Sequence, residues 1–314
     1  MMRSLYSGVT GLTTHQTRMD VIGNNIANVN TYGFKSSRTT FKDIYYQTVK
    51  SPSGGTASEK AGNNPTEVGY GVQIGSIDKN MSRSSFAGTD RTFDLAISGE
   101  GFFIVGKPEA EGGQGGQGGG DGEMVDITYT RMGNFGLDST GNLVNANNKF
   151  VLGTCNDGEF DSAAMSEKEP AEEAKSLQVI NVNSLIQEAF GDDELTFKDL
   201  ESFSIGSDGV LTATYKGDIK ALARIEIAVF DNPEGLLQAG NTDFMVSAAS
   251  GPVGIRKPGD PGTGTTESGK LEMSNVNLAQ EFSDMIITQR GFQANSRIIT
   301  TSDSMLEELV NLKR

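Results

Sequence analysis

Tryptophan is missing from this 314-residue chain, and histidine and cysteine occur once each, as His15 and Cys155. A single cysteine excludes an intramolecular disulfide, and one cysteine with one histidine leaves no Cys/His set for zinc. The acid-rich stretches lack the Asp-x-Asp-x-Asp-Gly spacing of an EF-hand loop. His15 has no serine, cysteine or aspartate at triad-like spacing, and Cys155 has no activating neighbour in sequence. Gly113-Gln114-Gly115-Gly116-Gln117-Gly118 fits the letters of a dinucleotide fingerprint. It lies in low-complexity sequence without the following helix that such a loop needs. No catalytic residue, metal or cofactor is assigned, and no enzyme reading survives.

Long apolar runs are also lacking. Nothing reaches the roughly 18 apolar residues that span a bilayer. Met1-Met2-Arg3 is not followed by the apolar core of a cleavable leader. The expectation is a chain that does not insert in membranes and that leaves the cell, if it does, by a route that reads no such leader. Positive charge is scarce: 26 Lys and Arg face 41 Asp and Glu, a net of −15. Residues 156–201 hold thirteen acids against Lys168, Lys175 and Lys198, whereas residues 1–50 are net basic. The acidic balance argues against nucleic acid and anionic lipid as partners.

What is present is a seven-residue rhythm at both ends. Leu278, Met285, Phe292, Ile299 and Leu306 follow one another at intervals of seven, as do Leu5, Leu12, Met19 and Ile26. The companion series are Glu281, Thr288, Asn295, Ser302 and Leu309, and Gly8, His15, Ile22 and Val29. A sustained heptad of apolar residues marks a helix that lays a narrow stripe against another helix. These stripes are thin, so each helix needs a partner to be stable. The two ends are expected to pair as a coiled coil, with each other or with copies from neighbouring chains. Asn277, with Gln280 three residues on, marks the start of the C-terminal helix. Asn28 to Gly33 closes the N-terminal one.

Between the ends the rhythm changes to short strands. Phe93–Ser98 and Gly101–Gly106 read as strands, and Asp138–Gly141 and Ser207–Gly209 read as hairpin turns. Phe34–Val49 reads as a short amphipathic piece. Residues 51–70 and 251–269, rich in glycine and proline, read as flexible stretches. The expected fold class is α+β and multidomain: long N- and C-terminal helices paired as a coiled coil, around a central, mainly antiparallel β domain. Its parts are an N-terminal helix at 1–34, a connecting segment at 35–90 and a β domain at 91–255. The β domain carries a Gly-rich loop at 112–120 and an acidic insertion at 157–175. A return linker at 256–276 and a C-terminal helix at 277–314 complete it.

These residues also resemble a known family. Ser7-Gly8-Val9-Thr10-Gly11-Leu12 and Met19-Asp20-Val21-Ile22-Gly23-Asn24-Asn25-Ile26-Ala27-Asn28-Val29-Asn30-Thr31-Tyr32-Gly33-Phe34-Lys35 look like the N-terminal signature of bacterial flagellar rod and hook axial proteins. Leu271–Phe282 and Gln289–Leu306 resemble its C-terminal signature, and Asp94–Val105 its first β segment. The closing Glu307–Arg314, together with Leu271–Val276, is more similar to the hook members, whereas Met2–Tyr6 and Tyr45–Thr48 resemble the distal rod members as well. The resemblance implies a helical homopolymer whose terminal helices pair inside a tube around an export channel. It also implies export by the flagellar type III apparatus and a place outside the cell in the hook and basal body. The neighbours it implies are the distal rod protein, the hook cap and the hook–filament junction proteins. A rigid distal rod subunit and a secreted β-rich binding module are the rival readings.

Overall fold

The computed structural model describes residues 2–54, 62–108, 124–155, 177–191 and 195–312. The Gly-rich 112–120 stretch and the acidic 157–175 stretch fall outside them. Among the described residues there are three α-helices, α1 (Met2–Ala27), α2 (Val182–Phe190) and α3 (Leu278–Asn311). The chain divides into two compact units. The helical unit takes Met1–Val29, Lys35–Asn80 and Val276–Arg314, and the β unit takes Asn30–Phe34 and Met81–Asn275. The backbone thus passes from one unit to the other four times.

In the helical unit α1 and α3 accompany four strands. Strand β1 (Ser37–Asp43) pairs antiparallel with β4 (Val72–Lys79), with a bulge at Thr40/Phe41. Strand β2 (Tyr46–Lys50) pairs with β3 (Thr66–Gly69). The amphipathic piece expected over Phe34–Val49 is therefore strand. Its Thr39, Thr40, Phe41, Tyr45 and Tyr46 are β-branched or aromatic types that suit a pleated surface. The irregular stretch 51–70 likewise contains β3.

The β unit is built on one branched antiparallel sheet of thirteen strands. Strand β7 (Phe102–Pro108) is one of its branch points and pairs with β8 (Met124–Thr130), β11 (Phe150–Cys155) and β16 (Ile227–Phe230). Alternation along β7 explains two cores. Phe103 and Val105 join Leu95, Phe135, Leu143 and Val151 on one side. Phe102 and Ile104 join Tyr129, Phe230 and Phe244 on the other. Helix α2 covers the first core with Val182, Leu185, Ile186 and Ala189. Its N-cap Asn181 accepts from the Ser184 amide, and Gly191 closes it at φ 70°. The hairpin turns at Asp138–Gly141 and Ser207–Gly209 lie where the sequence puts them, between β9 (Phe135–Leu137) and β10 (Leu143–Asn145) and between β13 (Ser202–Ile205) and β14 (Val210–Tyr215).

The stretch 251–269, expected to be flexible, contains ordered strands, and strands continue through the return linker at 256–276. These are β19 (Val253–Arg256), β20 (Thr265–Ser268) and β21 (Lys270–Glu272). β20 pairs with β6 (Leu95–Ser98) and β21 with β5 (Phe86–Gly88). The glycines here serve turns rather than slack. Gly259 and Gly262 sit at φ 89°, the Gly259 amide donates to Gly264 O at 3.0 Å, and Thr263 Oγ1 donates to Lys257 O at 3.1 Å.

Candidate functional site: the paired terminal helices

Helices α1 and α3 lie antiparallel and are stitched along their length. Near one end Ser4 Oγ stands 3.5 Å from Ser302 Oγ. Further along, Arg18 Nη2 meets Asp284 Oδ1 at 3.1 Å, and Asn25 Nδ2 donates to Glu281 Oε1 at 3.0 Å. Between these points the helices approach at glycine. A Cβ on Gly8 would stand 3.2 Å from Ile299 Cγ1, and one on Gly11 only 2.5 Å from Asn295 Nδ2. A Cβ on Gly291 would stand 2.7 Å from His15 Nε2. Each helix thus offers notches that receive side chains from the other. Glycine inside a helix costs about 1 kcal/mol relative to alanine, and at these positions the close approach accounts for it.

The middle of the seam is small and polar. Gly8, Gly11, Thr14, Ile22 and Asn25 are buried on α1, and Thr288 and Ser302 on α3. Thr288 Oγ1 turns back to Asp284 O at 2.7 Å, so its hydroxyl is satisfied where water is excluded. Of the apolar heptad residues, Ile22 lies in the seam. Leu5, Leu12, Met19, Ile26, Met285, Ile299 and Leu306 are half-buried. Leu278 and Phe292 remain 38% and 37% exposed. The pairing of the ends is present, but its centre follows the series through Gly8, His15 and Ile22 and through Thr288 and Ser302. A search for apolar periodicity passes over such residues. The signal that finds them is the pair of glycines three apart in α1 with a third in α3.

His15 sits between Gly291 and the Phe41 ring, edge to face with it at 5.7 Å and 82°. The Arg18 guanidinium lies over the same ring. Burial, with the nearby Arg18 charge second, holds the His15 pKa below its ordinary value, and its Nδ1 has no hydrogen-bond partner among the described residues. Glu281 is shifted the other way. Burial raises its pKa, against the lowering effect of the Asn25 bond.

The signature residues divide into two groups. Asn25, 1% exposed, grips the backbone of β1: its Nδ2 donates to Ser37 O at 2.8 Å and its Oδ1 accepts from the Ser37 amide at 3.0 Å. Asn24 O accepts from the Asn28 amide and from Asn28 Nδ2, which finishes α1. Thr31, Gly33 and Phe34 belong to the β unit. Thr31 O accepts from the Phe34 amide, and Gly33, at φ 69°, would place a Cβ 2.9 Å from Met132 N. Lys35 is buried where the chain re-enters the helical unit.

Around the seam the helices leave apolar side chains in water. Tyr6 and Val9 on α1 and Phe282, Ile286, Ile287, Ile298, Met305, Leu309 and Val310 on α3 are all exposed. Rows of exposed apolar residues on an otherwise polar helix pair mark an assembly surface. Among the described residues no group of His, Cys, Asp and Glu is arranged to hold a metal, and no helix is long and apolar enough to cross a membrane. A helix pair closed by shape, surrounded by uncovered apolar rows and carrying a separate β unit, defines a structural subunit.

Comparison with known proteins agrees. Residues 5–35 match the model "Flagella basal body rod protein", residues 96–213 "Flagellar hook protein FlgE/F/G D1 domain" and residues 267–312 "Flagellar basal body rod FlgEFG protein C-terminal". The chain is 43% identical to the flagellar basal-body rod protein FlgG of Bacillus subtilis over the full length of both. It is 31% identical to the flagellar hook protein FlgE of Borreliella burgdorferi, again over all of both chains, and 32% identical to the FlgG of the same organism. The chain belongs to the flagellar rod and hook protein family, whose members are structural components of the flagellum and not enzymes.

Proposed function

We propose that this chain is a hook subunit, which polymerises into a curved tube and passes rotation from the rod to the filament. The observation that carries the polymer reading is the set of exposed apolar residues on α1 and α3, which copies of the same chain would cover. The choice of hook rests on Leu271–Val276 and the closing Glu307–Arg314, which resemble hook members, and on the full-length match to a hook protein. In the tube the half-buried and exposed heptad residues, Leu5, Leu12, Met19 and Ile26 with Leu278, Met285, Phe292, Ile299 and Leu306, contact neighbouring helices in coiled-coil fashion. The distal rod protein, the hook cap and the hook–filament junction proteins are its axial neighbours, and the flagellar type III apparatus exports it without a cleaved leader. A rigid rod subunit is the second reading, favoured by the 43% identity to an FlgG of matching length.

The shape of the polymer separates the two. Electron micrographs of the assembled chain show curved, flexible tubes for a hook and straight cylinders for a rod. The double variant Phe292→Asp with Ile299→Asp removes apolar contacts from α3 while leaving the β unit untouched. It is expected to abolish polymerisation with the β unit still folded, and normal tubes from that variant would show that the apolar residues of α3 are not the assembly contact.

A further inference from the structure

Glu272 occupies an unusual position in the β unit. All four passages between the units start or end within about ten residues of a group that it binds. Its carbonyl accepts from the Gly33 amide at 2.9 Å, within the short visit of Asn30–Phe34 to this unit. Its Oε1 accepts from the Ser84 amide at 3.3 Å, just after the passage at Asn80/Met81. Its own strand β21 leads directly to the passage at Asn275/Val276. Its Oε2 meets Arg131 Nη1 at 3.4 Å, and both side chains are buried. Arg131 in turn donates from Nη2 to Gly99 O at 3.0 Å and lies over the Phe102 ring at 5.2 Å. Gly33 closes the ring of contacts, because its Cα lies against Arg131 and Met132. Around this point Ser84 Oγ donates to Ser274 O at 2.7 Å and the Met273 amide to Ser85 O at 3.0 Å.

We infer that Glu272 is the fastening point of the joint. One residue gathers the three chain segments that leave the β unit: its carboxylate, ion-paired to Arg131 and through it to the sheet core, holds the Ser84 amide, its backbone carbonyl holds the Gly33 amide, and its own strand is the third segment. A buried charge pair suits this task. Its geometry is specific, and removing one partner leaves the other charge unpaired and strongly disfavoured. An apolar contact would permit sliding. Three separate hydrogen bonds would let each segment loosen alone. One residue bonded through both its backbone and its side chain makes the segments yield together. Resting on the proposed tube function, this makes Glu272 the residue through which load on the terminal helices enters the β unit.

The test is amide exchange on the full-length chain, followed by mass spectrometry on peptides covering residues 30–34, 82–90 and 95–105. The variants are Glu272→Ala and the size-conserving Glu272→Gln. The Gly33 amide bonds to the backbone of residue 272, which both variants keep. The inference nevertheless expects it to loosen together with Ser84. Exchange should speed up at least ten-fold in 30–34 and in 82–90 for Glu272→Ala, and about three-fold for Glu272→Gln, with 95–105 unchanged. Loosening of 82–90 alone would show independent fastening and overturn the inference, and so would uniform loosening that includes 95–105. If Glu272→Ala does not fold, Glu272→Gln decides. A second arm images tubes of the parent and of Glu272→Gln, and expects lower bending stiffness in the variant. A parent that makes no tubes defeats the proposed function and leaves the exchange result standing. Equal stiffness with loosened exchange removes the load-bearing role alone.

Discussion

Gly291→Ala changes the sign of its effect according to what occupies position 15. In a helix interior the substitution gains about 1 kcal/mol of intrinsic propensity. In the parent chain the new methyl would lie 2.7 Å from His15 Nε2 and 2.8 Å from Cε1, with the imidazole backed by Phe41. The ring has to move by about 0.7 Å to restore ordinary contact, and overpacking of this kind costs about 1–3 kcal/mol. The net effect is a loss of about 0–2 kcal/mol. In a His15→Ala background the notch is empty, and Gly291→Ala should stabilise by about 1 kcal/mol. A double-mutant cycle therefore expects a coupling of about 1–3 kcal/mol between these two positions. Urea unfolding followed by circular dichroism at 222 nm measures it, because α1 and α3, of 26 and 34 residues, dominate the helical signal. If Gly291→Ala shifts stability equally in both backgrounds, to within about 0.5 kcal/mol, the glycine is not a notch for His15 and the account of the seam fails.

Three other expectations follow from single residues. Asn25→Ala strips both bonds from the Ser37 backbone and one from Glu281, and should destabilise the helical unit by about 2–3 kcal/mol in the same urea assay, with little change in the β unit. His15 has a depressed pKa, so its stabilising contribution is present above pH 6.5 and is lost as the pH falls through the folded-state value; Glu281, raised from 4.5, contributes most below that pH and loses its contribution as the pH rises through its folded-state value. From pH 7 to pH 5 the two groups act in opposite directions, so the His15 share is read by difference: helix-pair stability should change less favourably in the parent than in His15→Ala. Thr242 occupies a two-residue turn between β17 (Leu237–Gly240) and β18 (Asp243–Met245) with φ 65°, which suits a β-branched residue poorly; Thr242→Gly should raise the melting point of the β unit, by a stabilisation of about 1 kcal/mol.

Much of the architecture was readable in the residues. The apolar run Phe102–Val105 between Gly101 and Gly106 reads as a strand and the chemistry of Ser207–Gly209 as a turn, and both are found there. The two terminal helices and the Asn277 cap also follow from local rules. The seam did not. Its centre is Gly8, Gly11, Thr14, Thr288 and Ser302, and a hydropathy pattern has no way to distinguish a small residue kept for close approach from one exposed to water. The heptad leucines drew attention because burial usually follows hydrophobicity. Here some of that hydrophobicity faces outward, as Leu278 and Phe292 show. The strands within the Gly/Pro-rich 251–269 stretch are hidden from sequence for a related reason. Glycine signals slack only when no partner strand is near, and strand partners such as β6 lie some 170 residues away in sequence. The role of Glu272 leaves no local pattern in the sequence, because it depends on residues 33, 84 and 131 meeting in space.

That meeting point bears on the order in which the molecule forms. Helix α1 ends at Ala27 and its partner begins at Leu278, so in an unfolded chain the pair must close a loop of about 250 residues. Once the β unit has folded, Gly33 and Glu272 are held side by side, and the effective loop shrinks to about a dozen residues. The logarithmic dependence of closure entropy on length puts the difference at about 3 kcal/mol in favour of helix pairing. The β unit contains many short-range hairpins that form without the last 40 or so residues, whereas α1 lacks its helical partner until α3 has arrived. A chain delivered N-terminus first would therefore keep its assembly surface incomplete until its final residues emerge, and premature polymerisation would be suppressed by topology.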